Sequence, residues 1–169
     1  MEIAVIGGGH GCHAAAADLS ERGHRVRLWR RDREAFAPIL ERSALTLTDF
    51  QGTRDVSLEL ATTDLTQAVT GTELVLIPLP ATAQVVLGRE LAPLLTDGQV
   101  VFLPPGTFGS YILADAVKRA GTGARVTFAE TGTLPYLARK QATDHIAIRV
   151  RATRLPTGVL PASDWSRAL

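Results

Sequence analysis

Four glycines and a cysteine fall within six residues, Gly7-Gly8-Gly9-His10-Gly11-Cys12. Chemistry of a backbone kind is concentrated there. A turn without side chains lets main-chain N–H groups close around a phosphate, and a helix starting at the same place adds the positive end of its dipole. Gly7 suits the tight turn, and Gly9 suits a close approach of the backbone to a pyrophosphate. Gly8, Gly11 and His10 complete the turn, with His10 either touching the phosphates or facing solvent. Cys12 occupies the third position of a G-x-G-x-x-C pattern, where a small side chain serves close packing of helix on strand. A cysteine at a helix N-terminus also has a route to a depressed pKa. The packing role is the simpler reading. His13 packs or bonds near the same phosphates.

A second group of chemical residues follows. Arg30 and Arg31 close the run Arg25-Val26-Arg27-Leu28-Trp29, and Arg30 follows Gly7 by roughly twenty residues. In a dinucleotide site that place meets the adenine ribose. A carboxylate there takes the ribose hydroxyls, whereas a guanidinium fork suits a 2′-phosphate. Arginine at this point favours NADP over NAD, with NAD as the alternative and Asp32 as the competing acidic candidate. Farther along, Pro80 and Ala81, and then Pro105, Gly106 and Thr107, stand just after apolar runs and are placed to shape the nicotinamide side.

Acid–base groups are scarce. His24 and His145 have no evident partner, and neither His10 nor His13 has an orienting group beside a substrate position, as a general base requires. Glu130 either faces the nicotinamide side or caps a turn. No catalytic residue is assigned. No Cys/His/Asp cluster has metal-ligand spacing, no nucleophile elbow occurs, and the Gly-Lys-Ser/Thr step of a Walker loop is missing.

The elements that must position these groups alternate. Residues 1–6 read as a strand, 14–22 as the body of a helix, 25–29 as a second strand and 33–42 as a second helix with Asp32 as its cap. Residues 45–49 and 56–60 alternate with period two around Phe50-Gln51-Gly52-Thr53, a β-hairpin inserted between the classical units. A short helix over 64–69, a buried apolar strand over 73–78, and a helix over 82–95 follow. Next come a strand over 99–103, a helix over 110–120, a strand over 125–129 and a last strand over 145–151. The pattern predicts an α/β fold, a doubly wound and mainly parallel Rossmann-like sheet with that hairpin inserted. Residues 1–150 form the dinucleotide-binding domain, and 151–169 begin a connection.

Composition agrees with one domain. The chain has 169 residues, 46% hydrophobic, a formal net charge of +1 and a single cysteine. An intrachain disulfide is excluded, which fits a reducing cytoplasm. No apolar run reaches membrane-spanning length, and the first residues lack a basic, cleavable leader. Arg22, Arg25, Arg27, Arg30, Arg31 and Arg33 crowd together, but Trp29 is the one aromatic among them. That pattern reads as a solvated strand edge plus a cofactor phosphate site, not a nucleic-acid face.

The motifs together resemble a family. Gly7-Gly8-Gly9-His10-Gly11-Cys12-His13-Ala14, the Pro80 turn, Pro105-Gly106-Thr107-Phe108-Gly109 and Glu130-Thr131 are similar to the cofactor-binding domain of opine dehydrogenases, a group related to ketopantoate and glycerol-3-phosphate dehydrogenases. The resemblance covers nearly the whole chain. It implies NAD(P)H-dependent reduction of the imine formed from an amino acid and a 2-oxo acid. It also implies a second, helical domain carrying the catalytic histidine and its acidic partner. This chain departs from the family pattern at Cys12, where a glycine is usual, at Arg30, where an acidic residue is common, and at Pro104, where an asparagine-like residue is common. The implied partners are a dinucleotide and a helical substrate domain or partner chain, with a homodimer as a further possibility. The contrasting expectation is a non-catalytic dinucleotide-binding module. An apolar surface around 150–169 favours the enzyme half, and Ile146, Ile148, Val150, Leu155, Val159, Leu160 and Trp165 supply it in sequence.

Overall fold

The computed structural model describes residues 1–168; Leu169, the last residue of the expected connection, lies outside the described residues. Eleven strands among the described residues divide into two sheets. The main sheet has seven strands: β1 (Glu2–Ile6), β2 (Arg25–Trp29), β5 (Leu60–Thr62), β6 (Leu74–Leu76), β7 (Val100–Leu103), β8 (Thr127–Thr131) and β11 (Thr157–Leu160). Their order is β11-β8-β7-β6-β1-β2-β5. Every pairing is parallel except that of β11 with β8. The chain therefore leaves β1 in one direction and returns to its other side at β6, the switch in strand order beside which ligands bind in such sheets.

Side-chain alternation explains the two packed faces. Ile3 and Val5 of β1 point into one apolar cluster, and Ala4 and Ile6 into the other. The second cluster holds α3 (Leu65–Val69), α4 (Ala81–Leu91) and α5 (Gly109–Ala120) against the sheet through residues such as Val69, Leu87, Leu91, Leu113 and Val117. The first cluster holds α1 (His10–Glu21) and α2 (Ala37–Arg42).

A four-stranded second sheet, ordered β4-β3-β10-β9, covers α1 from its other side. Its strands are β3 (Ala44–Asp49), β4 (Gly52–Ser57), β9 (Tyr136–Lys140) and β10 (His145–Arg151). The expected hairpin is β3 and β4, paired Ala44 with Ser57 through Asp49 with Gly52. It does not stand alone, because β3 also runs parallel to β10. Leu45, Leu47, Ile146 and Ile148 face α1. The middle of a helix between two sheets has no solvent face, which accounts for Cys12 through Ala17 all being buried and for the alanines: small side chains let both sheets approach.

Several boundaries differ from the sequence reading, and some of them change the sheets. The run 56–60 is split, its first part ending β4 and Leu60 beginning β5 of the main sheet. The strand at 145–151 belongs to the second sheet. The chain continues past residue 150 to add β11 to the main sheet, then ends in a short helix, α6 (Trp165–Ala168). Among the described residues, no helix is long and apolar enough to cross a membrane.

Candidate functional site

The glycine turn lies where β1 ends. The Gly7 N–H donates to the Trp29 carbonyl at 2.8 Å, so the turn is tied to β2. Gly7 has φ +122°, and a Cβ there would stand 2.5 Å from Leu79 Cδ2 and 2.8 Å from Cys12 Sγ. Only glycine meets both demands. Gly11 packs on Pro78, with a Cβ position 3.2 Å from Pro78 Cβ. Gly9 is the opposite case: no atom lies within 4 Å of its Cβ position. It is the N-cap of α1, with no side-chain cap on the helix. The first-turn N–H groups of α1 thus have no side-chain cap, and the side-chain direction of Gly9 is open.

Cys12 and His13 lie beneath this turn. Cys12 is fully buried, with Sγ 3.5 Å from the Ile6 carbonyl and 3.6 Å from that of Pro78. Burial pushes its thiol up to about 11, so it is a packing residue and not a nucleophile. His13 is also fully buried, with Nδ1 3.0 Å from the Gly9 carbonyl and Nε2 3.1 Å from the Thr143 carbonyl. Burial, reinforced by the charge of Lys140, lowers its pKa to about 4.

A cleft of about 380 Å³ opens beside the turn, lined by Gly7, Gly8, Arg30, Arg31, Leu79 and Val86 among others. Arg30 crosses the turn: a Cβ on Gly8 would stand 2.5 Å from Arg30 Cδ. Its guanidinium donates to the Ala35 carbonyl at 2.9 Å and lies 3.8 Å from Asp32. Asp32 accepts from the Ala35 N–H at 3.1 Å and thus caps the turn that leads into α2. Arg31 lies 6.0 Å from the Trp29 ring centroid and pairs with Glu90 of α4 at 2.7 Å.

On the other side of the switch, Pro80 is the N-cap of α4 and Ala81 its first residue. The turn after β7 holds Pro105, Gly106 and Thr107, with Thr107 and Phe108 both at positive φ. Glu130, at the end of β8, reaches into this turn. It accepts from the Phe108 N–H at 3.2 Å, the Ser110 N–H at 3.0 Å and the Ser110 hydroxyl at 2.8 Å. Glu130 is therefore the cap of α5, the capping role that the sequence reading offered as one of two. Gln84 braces the turn by donating to the Gly106 carbonyl at 2.8 Å. The structure thus brings together Gly7 through Cys12 with Arg30 and Arg31, while Pro80–Ala81 and Pro105–Thr107 form neighbouring turns at the carboxyl ends of β6 and β7.

One residue of the site escaped the sequence reading. Lys140, at the end of β9, donates its backbone N–H to His10 Nδ1 at 3.0 Å and its ammonium to the Gly8 carbonyl at 3.3 Å. The sequence reading places no strand over 136–140, and nothing local says that this segment ends on the glycine turn.

Residues 2–104 match the family model of the NAD-dependent glycerol-3-phosphate dehydrogenase N-terminus. An opine dehydrogenase from Arthrobacter sp. is 31% identical over 106 residues, 63% of this chain and 30% of that protein. A glycerol-3-phosphate dehydrogenase (NAD(P)+) from Thermoanaerobacter sp. is 37% identical over 84 residues, 49% of this chain and 24% of that protein. Among solved structures, octopine dehydrogenase in complex with NADH and agmatine superposes with a TM-score of 0.80 at 18% identity, over 98% of this chain and 45% of the other. The chain thus spans less than half the length of these relatives. Through residues 2–104 the chain belongs to the glycerol-3-phosphate dehydrogenase N-terminal family, and it is an NAD(P)-binding domain of the kind found in opine and glycerol-3-phosphate dehydrogenases.

Proposed function

We propose that this domain binds NADP in preference to NAD and serves as the cofactor half of an oxidoreductase that reduces an imine or a 2-oxo acid. The observation that carries the reading is the uncapped start of α1 behind Gly9, open to a ligand and flanked by Arg30. The pyrophosphate rests on the N–H groups from Gly9 into α1, with Gly7, Gly8, Gly11 and Cys12 holding the turn in shape and His10 at its rim. Arg30 and Arg31 take the adenosine 2′-phosphate. Arg30 is poised for it, since its present partners are one neutral carbonyl and a carboxylate at 3.8 Å. Pro80, Ala81, Pro105, Gly106 and Thr107 border the nicotinamide. The bound nicotinamide supplies the hydride; the protein binds and orients it. Glu130 is occupied by the α5 cap and His13 is sealed below the turn. Acid–base groups therefore come from a helical domain or a partner chain, or else the domain is a binding module without catalysis.

Titration with NADPH and NADH tests the cofactor assignment, read by the fluorescence of Trp29, whose ring borders the cleft. The expected result is tighter NADPH binding, with Arg30→Asp weakening NADPH about ten-fold and narrowing the gap to NADH. Equal affinities in the unmutated protein remove the role given to Arg30.

A further inference from the structure

Two cations reach Gly8, and they come from different layers of the molecule. Arg30 arrives from β2 of the main sheet and lies against the Gly8 α-carbon. Lys140 arrives from β9 of the second sheet, with its ammonium 3.3 Å from the Gly8 carbonyl. The end of β9 is held there by the bond from the Lys140 N–H to His10 Nδ1, and His10 is the first residue of α1. The ammonium is thereby fixed at the mouth of the helix N-terminus, on the glycine turn itself.

The two cations are weakly compensated: Arg30 has one long ion pair, and Lys140 feels Asp144 only at a distance. Arg30 has Asp32 at 3.8 Å, and Lys140 makes no ion pair within 4.0 Å among the described residues. Partial burial, and secondly the charge of Arg30, lower the Lys140 pKa. Two like charges beside the positive end of a helix repel each other, and an anion bound at the turn relieves that repulsion. The backbone bond to His10 and the ammonium's bond to the Gly8 carbonyl both peg β9 to the turn, but the acceptor is neutral, so a positive charge remains there.

We propose that Lys140 is a pyrophosphate-binding residue of the dinucleotide site, a positive charge that serves NADH and NADPH alike, whereas Arg30 separates the two cofactors. This rests on the dinucleotide reading of the glycine turn. The Lys140→Gln and Lys140→Arg variants, titrated with NADH and NADPH at two salt concentrations, test it. Lys140→Gln is expected to weaken both cofactors by the same factor, on the order of ten-fold, and to flatten the salt dependence of Kd. Lys140→Arg is expected to retain most of the affinity. The melting temperature of the cofactor-free variants should stay with that of the unmutated protein. Unchanged affinity in Lys140→Gln overturns the proposal, as does a loss confined to NADPH, which would make Lys140 a 2′-phosphate residue. A loss that Lys140→Arg fails to rescue, joined to a lowered melting temperature, makes it a structural peg. If the unmutated protein binds neither cofactor, the dinucleotide reading itself fails; binding without an effect of Lys140→Gln sinks the Lys140 assignment alone.

Discussion

At the N-terminus of α1, where a thiol or imidazole normally feels the helix dipole, Cys12 and His13 are both governed by burial instead. The Cys12 thiol stays protonated because no water reaches it to solvate a thiolate. His13 faces two carbonyls, Gly9 and Thr143, and both would be satisfied only by a charged ring with two N–H groups. Desolvation and the nearby Lys140 outweigh that demand, so the folded protein holds the ring neutral down to about pH 4. The unfolded chain binds the proton near pH 6.5. Above that value His13 makes no difference to the pH dependence of stability. As pH falls from 6.5 toward 4 the unfolded state gains protons that the folded state refuses, and stability is lost, by about 2 kcal/mol at pH 5. Chemical denaturation at pH 7 and pH 5 should show this loss in the unmutated protein and a shallower one in His13→Gln. Parallel behaviour of the two proteins would show that the His13 ring is not held neutral.

At the scale of elements, α5 depends on a cap brought from another strand. Its N-cap residue, Phe108, has φ +62° and offers no side-chain acceptor, and Thr107 before it has φ +54°. Two consecutive non-glycine residues in the left-handed region are strained, each by about 1 kcal/mol or more. Glu130 holds them by taking the N–H groups of Phe108 and Ser110. Its closeness also excludes a side chain at Gly106, where a Cβ would stand 2.2 Å from Oε2. Glu130→Ala should therefore destabilise the protein by about 1–3 kcal/mol, with Glu130→Gln between it and the unmutated protein. Equal denaturation midpoints for all three would remove the capping role. Elements of this kind set the limits of what was legible in sequence. The strand, glycine turn and helix at residues 2–21 were readable because backbone chemistry needs those residue types in that local order. β9 was missed because its outward positions, Leu137 and Arg139, and its inward ones, Tyr136, Ala138 and Lys140, do not separate apolar from polar. β11 was missed because Thr157-Gly158-Val159-Leu160 is short, contains a glycine and lies between two prolines. Lys140 meets His10 across 130 residues of chain, a contact that only the second sheet creates.

At the scale of the whole molecule, the second sheet is what turns a dinucleotide fold into a helix held between two sheets. It is fastened to α1 by a charged network at the end opposite the glycine turn. Arg151 of β10 bonds Asp18 of α1 at 2.6 Å and Asp49 of β3 at 2.7 Å, and the Tyr136 hydroxyl donates to Asp18 at 3.0 Å. Arg54 adds a second partner for Asp49 at 2.8 Å, and with Arg151 it holds that carboxyl well below the usual carboxylate range. Both carboxylates are nearly inaccessible, whereas the Arg151 side chain retains 21% exposure. Removing its charge leaves Asp18 and Asp49 buried with fewer partners, at a cost of about 2–4 kcal/mol after allowance for that exposure. Arg151→Met should lower stability by that amount. It should also weaken both NADH and NADPH, because β10 carries β9, and β9 carries Lys140 onto the Gly8 carbonyl. The two effects separate the roles of the sheet. Lost stability with unchanged cofactor affinity in the folded variant would mean that the sheet only covers α1. Lost affinity at temperatures where the variant remains folded would mean that the second sheet is also a working part of the candidate cofactor site, setting the position of the glycine turn from outside the main sheet.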